Sequence, residues 1–437
     1  MFYHKILIQN KRPVMRLPRF LSKITPGFQV TDVKEWISKG YIEVHLKQDG
    51  AQAPLCFKCG HKLHPAKVGH HRVKVRSMDI HGLKTYLIVK RNKHHCPHCK
   101  KIRSEALSFI CEETPHVTEE YAWWLGRLCE ITPIKNAAEF TGNDPMSMWR
   151  FDFNRMKRMF QHYKIPKVKR ICVDEVYARK KKYHVKESRD NRFFTVICDL
   201  DSRRVVWVSE SRSKEALDEF FHVIGEERCK DIEVVSADQF DGYKKSVEDN
   251  CPNATFVWDR FHIMQTFQKY INDERMWLNE HMCKGELKRL TRGKFKQLFT
   301  KKSDRRTKSE NRHINQVMKD NQYFIYLELI KEGLHQIFAS KDAREAREKF
   351  DEMGQWIEQA SVFYELKKWW KNFNDGWDTF KNYFKYPVTS SLSEGINNVI
   401  KTVKKRAYGY RNMTYFKLKI LQVCGFLNSR WVPMNYQ

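Results

Sequence analysis

No apolar run in this chain approaches the roughly 18–20 residues that span a bilayer, so no membrane-crossing helix is expected. No charged start leads into an apolar core and a small-residue cleavage site, so secretion is not expected either. Internal repeats and low-complexity tracts are absent. Negative charge is in short supply: 52 Asp and Glu stand against 81 Lys and Arg, a formal net charge of +29. That imbalance favours a polyanionic partner, nucleic acid ahead of an anionic membrane surface. A cytoplasmic, nucleoid-associated protein is the expectation. At 437 residues, 41% hydrophobic and 13% aromatic, the chain can bury the cores of two to four domains.

The 12 cysteines include two tight pairs, Cys56-Phe57-Lys58-Cys59 and Cys96-Pro97-His98-Cys99, with 36 residues between them. In a reducing compartment such pairs suggest metal rather than disulfides. Two thiolates from each knuckle make a closed tetrahedral zinc site, structural rather than catalytic. His61, His64, His94, His95 and His98 are alternative ligands. A redox CxxC is disfavoured, because its usual βαβ context is missing. The other eight cysteines read as buried apolar residues. The window is dense in Lys and Arg, and Val73–Arg76 and Tyr86–Val89 read as strands joined at His81-Gly82. Before it, Thr31–Trp36 reads as the start of a short helix.

Helical spacing then covers Glu119–Cys129, Ile134–Phe140 and Asp144–Met159, with a turn at Thr141-Gly142-Asn143, Asp144 as N-cap and Pro145 at the first helical position. This is helix-turn-helix spacing. It puts Trp149, Arg150, Asn154 and Arg155 forward as DNA contacts; an ordinary trihelical linker, with Trp149 in its core, is the other reading.

From 168 to 262 the order is three strands, helix, strand, helix, strand, helix. The strands are Arg170–Val176, Phe193–Cys198, Val205–Val208, Ile232–Ser236 and Ala254–Trp258. That is the order of an RNase H-like fold. A helical stretch, 263–388, separates it from a basic helical segment beginning near Glu394. The tryptophans of that stretch serve either as core or as stacking platforms for a base.

Three acids are placed to meet in such a fold. Asp174 lies on the first, central strand; Asp238 ends the fourth; Glu394 opens a late helix. Short oxygen ligands on a rigid sheet suit two Mg²⁺ ions (Mn²⁺ as substitute), which activate water or a 3′-hydroxyl and stabilise the leaving oxygen of a phosphodiester. Taken singly, each acid is as readily a surface or capping residue. Asp259 is a second candidate for the middle position, or a structural partner, with Arg260 and His262 near phosphate. Glu175 must point to the opposite face from Asp174, and Asp199 and Asp201 read as turn formers. Lys401 and Lys405, seven and eleven positions after Glu394, share its helical face. Lys180 and Lys181 follow the Asp174 strand, and these cations would hold DNA phosphates.

At these residues the chain resembles the DDE transposases of bacterial insertion sequences, the ISL-three group. The pieces that carry it are the two CxxC knuckles, Val173-Asp174-Glu175, Ala237-Asp238-Gln239, Asp259-Arg260-Phe261-His262, Ser393-Glu394-Gly395-Ile396-Asn397 and Arg406-Ala407-Tyr408-Gly409-Tyr410-Arg411-Asn412. The resemblance implies an RNase H-like α/β core with Mg²⁺ and with Asp174, Asp238 and Glu394 as catalytic triad. It implies recognition of terminal inverted repeats in double-stranded DNA and strand cleavage and joining at element ends; a homodimer on DNA is expected because two element ends must be handled together. The Ala and Gln flanking Asp238 depart from the Met expected in similar proteins. The implied organisation is an N-terminal segment (1–50), a four-cysteine zinc-binding domain (51–112), a helix-turn-helix (113–165), a split catalytic core (166–262 and 389–437) and a helical insertion (263–388). A catalytically inactive, transposase-derived DNA-binding regulator is the rival reading, and a simple RNase H-type nuclease a third.

Overall fold

Alternating apolar and polar residues in the first unit and near-continuous apolar runs in the second build two five-stranded sheets, and longer amphipathic stretches build the helices around them. The computed structural model describes residues 25–49, 53–180, 190–388 and 391–427. It divides into two compact units, 1–161 and 162–437.

In the first unit β1 (Phe28–Trp36), β2 (Tyr41–Gln48), β3 (Lys67–Ile80) and β4 (Leu83–Cys96) form one sheet in the order β1-β2-β4-β3, and β5 (Lys101–Ser104) pairs with the far end of β4. The β3–β4 hairpin turns at His81 and Gly82, both at positive φ (49° and 80°). Two successive positive φ values match the strand twist of a two-residue hairpin. The helix expected at Thr31–Trp36 is instead part of β1. Val30 and Val33 pack on the core that Val44, Leu46, Val75 and Leu87 build, and a register shift at Val30/Asp32 brings both valines onto one face. Tertiary burial overrode a weak local signal.

Three helices follow, Glu119–Ile131, Ile134–Thr141 and Pro145–Gln161, within a residue or two of the expected spans. Gly142 takes the left-handed conformation (φ 64°) that ends the second, and Asp144 accepts from the Ser147 amide at 2.8 Å to start the third. The third helix buries Met148, Phe151, Asp152, Arg155 and Met159, spacing that keeps one face inward. Arg155, put forward as a DNA contact, is turned into the fold. It is fully buried, bonded to Glu130 at 2.6 Å and Asp152 at 3.2 Å, and packed against Gly126. Its charge is spent inside the fold.

The second unit holds β6 (Arg170–Tyr177), β7 (Phe193–Asp199), β8 (Arg204–Glu210), β9 (Val234–Ala237) and β10 (Thr255–Trp258), in the order β10-β9-β6-β7-β8. β6, β7 and β8 are antiparallel neighbours, while β9 and β10 run parallel to β6. The Lys214–Ile224 and Met413–Cys424 helices pack against β8, and the Ser391–Arg406 helix against β6. The helices from Arg260 to Phe380 share one core with Val234 and Val257 of the sheet. They cover the edge strand β10 through Trp258 on Phe373 and an Asn382 bond to Phe256 O at 2.9 Å. Trp369 is buried in that core, with Trp356, Trp370 and Trp377 packed on it, so these rings serve as core. Of the eight cysteines outside the knuckles, seven are buried, and all are free thiols.

Replacing Arg155 by Ala would remove the buried guanidinium that bonds both Asp152 and Glu130, a loss of about 3–5 kcal/mol. Chemical denaturation of the purified protein checks this. A stability equal to wild type would show that the pair carries no such weight.

Candidate active site and metal centre

Strand register sets the carboxylates. β6 and β9 pair Cys172 with Ser236, and β9 and β10 pair Ala237 with Trp258. Asp174 and Asp238 therefore stand two residues beyond a matched pair. Asp259 stands one beyond the next pair, its amide bonded to Ala237 O at 2.7 Å. Neighbouring strands lie about 4.8 Å apart, so the three aspartates make one row across three parallel neighbours, Asp174 within β6 and Asp238 and Asp259 just past β9 and β10. Side chains at matched levels point to the same face. Glu175, one residue on, points to the other, where it accepts from Tyr243 at 3.1 Å and lies 3.4 Å from Arg212. Burial raises its pKa despite that arginine.

His262 sits one turn after Asp259 and closes the row. Its Nε2 is 3.4 Å from Asp174 and 3.8 Å from Asp259, and its Nδ1 is 3.6 Å from Asp238. Burial opposes a charge on the ring, but Asp174 first, then Asp238 and Asp259, hold its pKa up at about 9. The imidazolium thus supplies the counter-charge to the row. Asp259 is buried and accepts from the Phe261 amide at 3.0 Å, which caps the Arg260–His281 helix. That role favours structure over catalysis.

Glu394 lies exposed in the first turn of the Ser391–Arg406 helix. Three residues on, Asn397 donates Nδ2 to Asp174 Oδ2 at 2.7 Å, while Asp174 Oδ1 accepts from the Glu175 amide at 2.7 Å. Lys404, two turns further, donates to Tyr177 O at 2.8 Å and lies over the Tyr177 ring. These contacts pin the helix along β6 and hold Glu394 about 5 Å along the axis from the residue that touches Asp174. The three carboxylates do not draw their oxygens within 4.8 Å of one another. Among the described residues, the groups that do so are Cys56/Cys59/Cys96/Cys99, Cys59/His61/His98 and Cys111/Glu113/Glu119. The acidic set is an open one, with the Asp238 side chain 42% exposed, and oxygen donors of this kind fit a hard divalent cation that keeps several waters.

In the first unit the two knuckles converge. Each ends in a positive-φ residue, Gly60 (72°) and Lys100 (52°), which swings its second cysteine back toward the first. The Cys99 amide donates to Cys96 Sγ at 3.3 Å, and Cys59 and Cys96 sulfurs are 3.6 Å apart. Burial opposes ionisation of Cys56, but the backbone amides of Cys59 and Lys58 hold its pKa down to about 7. Four thiols in one small space fit a soft or borderline ion such as zinc. None of the five histidines is needed to complete the set. His94 is turned to the His64 and Ala66 carbonyls, and His61 stacks on His98 at 4.0 Å beside Cys59.

The transposase family model of the ISL-three DDE group matches residues 171–420, more than half of the chain. The chain belongs to the ISL-three family of transposases. It is 24% identical over 387 residues to the transposase for insertion sequence element IS1001 of Bordetella parapertussis, covering 87% of this chain and 90% of that one. It is 23% identical over 389 residues to the transposase for insertion sequence element IS1557 of Mycobacterium tuberculosis, covering 82% of each. The protein is therefore a DNA transposase, and membership of the DDE group implies use of divalent metal. No helix among the described residues of this transposase is long and apolar enough to cross a membrane.

The remaining expected DNA contacts divide. Arg150, Lys180, Lys401 and Lys405 are exposed. Trp149 is half-buried against Phe153 at 5.1 Å, and Asn154 is half-buried. Arg260 lies over Phe338 at 4.9 Å and donates to Tyr383 at 3.2 Å. Lys181 lies outside the described residues. Asn397 is the site residue that sequence reasoning left without a role, although its i+3 spacing from Glu394 was a legible signal.

Asn397→Ala removes the side-chain donor that orients Asp174. Transposase activity should fall about 10–100-fold, the usual cost of losing such a partner to a metal-binding carboxylate, with the metal concentration for half-maximal rate rising and circular dichroism unchanged. An unaltered metal dependence would sink this role.

Proposed function

We propose that this transposase binds the terminal inverted repeats of its element and catalyses strand cleavage and strand transfer at Asp174, Asp238 and Glu394. The observation that carries the reading is the level placement of Asp174 and Asp238 on adjacent parallel strands, with the Glu394 helix tied to Asp174 through Asn397. The sheet order, three antiparallel strands extended by two parallel ones on the β6 side, supports an RNase H-like core split by the helices between β10 and Glu394.

Two Mg²⁺ ions, or Mn²⁺ in their place, would be held by these three acids and would supply Lewis-acid activation of the attacking hydroxyl and stabilisation of the leaving oxygen. Asn397 and the Glu175 amide orient the Asp174 carboxylate. His262 faces the scissile phosphate from among the aspartates. Lys180, Lys401 and Lys405, with Lys181, grip the backbone of the bound strand without reading its sequence. Asp259 caps its helix and keeps β10 level with its neighbours.

The N-terminal unit supplies end recognition in this reading. Cys56, Cys59, Cys96 and Cys99 would hold a structural zinc ion that fixes the small sheet. The helix Pro145–Gln161 offers Arg150 and Trp149 to a major groove, in helix-turn-helix manner. Two copies act together, because two element ends must be joined in one event. A catalytically inactive regulator remains the rival, and the presence of all three acids argues against it.

Two experiments test these readings. Asp174→Asn and Glu394→Gln should each lower Mg²⁺-dependent cleavage and joining of end-containing DNA by about 10⁴-fold, the scale for a member of a catalytic unit, while DNA affinity persists. Wild-type rates in both variants would remove the catalytic assignment. For the thiol site, elemental analysis should find about one zinc per chain, absent in Cys96→Ser and retained in Cys424→Ser, with the melting temperature falling only in the former. Equal metal content in the two variants would refute the four-thiol assignment.

A further inference from the structure

A second feature of the catalytic unit lies across the first turn of the Arg260–His281 helix from the aspartate row. Arg260 follows Asp259 directly, but its side chain leaves the carboxylates and enters a cavity of about 470 Å³ among the inserted helices. Thr300, Lys301, Lys302, Arg305 and His335 line the same space. Four fixed cations converge there, and no carboxylate lines the cavity among the described residues. Lys301 and Lys302 do have partners at the rim, Glu310 at 2.8 Å and Asp304 at 2.6 Å, both in surface pairs of small energetic weight.

The wall is built rather than incidental. Lys331 is 1% exposed and donates to Phe299 O at 3.1 Å and Lys301 O at 3.0 Å. Arg306, also buried, donates to Leu298 O at 3.0 Å, to Phe299 O at 2.9 Å and to Glu328 at 2.6 Å. The Ser303 amide donates to Glu332 at 2.9 Å. These bonds clamp the segment from Thr300 to Arg306 from behind, so its three cations are presented on fixed backbone. On the opposite side, Phe338 and Tyr383 fix the Arg260 guanidinium. Burial, with Lys331, Lys302 and Arg260 adding repulsion, holds His335 below the usual histidine range despite Glu332. Its neutral ring can donate to a phosphate oxygen.

We infer that this cavity is a phosphate-binding subsite, occupied by a backbone phosphate of the DNA strand engaged at the neighbouring carboxylates. A preorganised cluster of cations around a concave space selects an anion, and a phosphate presents the oxygens that arginine and lysine together satisfy. This inference rests on the DNA-cleaving reading above, and it adds that the helical insertion grips the substrate rather than merely interrupting the core.

The test uses the full-length protein with Lys302→Gln and Arg305→Gln. Both side chains lie on the solvent side of the clamp. Arg344→Gln, an exposed insertion residue outside the cavity, is the control. Affinity for duplex DNA is measured by fluorescence anisotropy across a salt series, and inorganic phosphate binding by calorimetry. The cavity variants should each bind DNA about tenfold more weakly and reduce the slope of log affinity against log salt by about 0.9, the value for one lost phosphate contact. Arg344→Gln should change neither quantity. Unchanged DNA binding in both cavity variants, or equal losses in Arg344→Gln, overturns the inference. If inorganic phosphate binds the wild type and is lost in the variants while DNA binding is untouched, the cavity takes free phosphate and the DNA assignment is wrong. A wild type that binds no DNA would instead remove the functional reading itself.

Discussion

The parallel register of β6, β9 and β10 is the constraint on which the catalytic unit depends. Backbone hydrogen bonds alone set Asp174, Asp238 and Asp259 at one level, with side chains on one face. A slip of one residue in either pairing would turn an aspartate to the opposite side. Three carboxylates in one row repel one another, and His262 offsets that repulsion from 3.4–3.8 Å. The histidine comes from the helix that Asp259 caps, so one residue both joins the row and aims its counter-ion.

The inserted helices follow from the same edge. β10 would otherwise expose unpaired backbone, and the insertion covers it with Phe373 against Trp258 and the Asn382 side-chain amide on Phe256 O. The insertion in turn stabilises itself with buried ions. Lys331 and Arg306 share Glu328 beneath a surface that is otherwise strongly basic. Buried pairs of this kind contribute little net stability over apolar packing, but breaking one is costly. Their effect here is geometric: they fix a segment whose exposed face carries Lys301, Lys302 and Arg305.

Local chemistry was legible wherever it dominates. The CxxC knuckles announced their four-thiol cluster, because positive-φ turns follow each pair. The second and third helices of residues 119–161 declared themselves through Asp144, Pro145 and Gly142, since caps and turns are short-range effects. The β6–β10 order was readable from apolar runs separated by helical spacing. Thr31–Trp36 was misread for the complementary reason. Its local pattern is ambiguous, and burial of Val30 and Val33 against β2 decides it.

The sequence alone thus determined the four-cysteine cluster, the order of elements in the second unit, the basic character and the family. Each depends on residue identity and near-neighbour spacing, which the chain carries in one dimension. Tertiary structure decided which charges are available. Arg155 turned inward to Asp152 and Glu130, Arg260 turned from the carboxylates to Phe338, and Asn397, unassigned by pattern, took Asp174. An ionisable side chain of four or five rotatable bonds can reach several partners, and only packing selects one. Periodicity names the face a residue occupies, whereas the partner on that face is fixed by packing between segments as much as 223 positions apart.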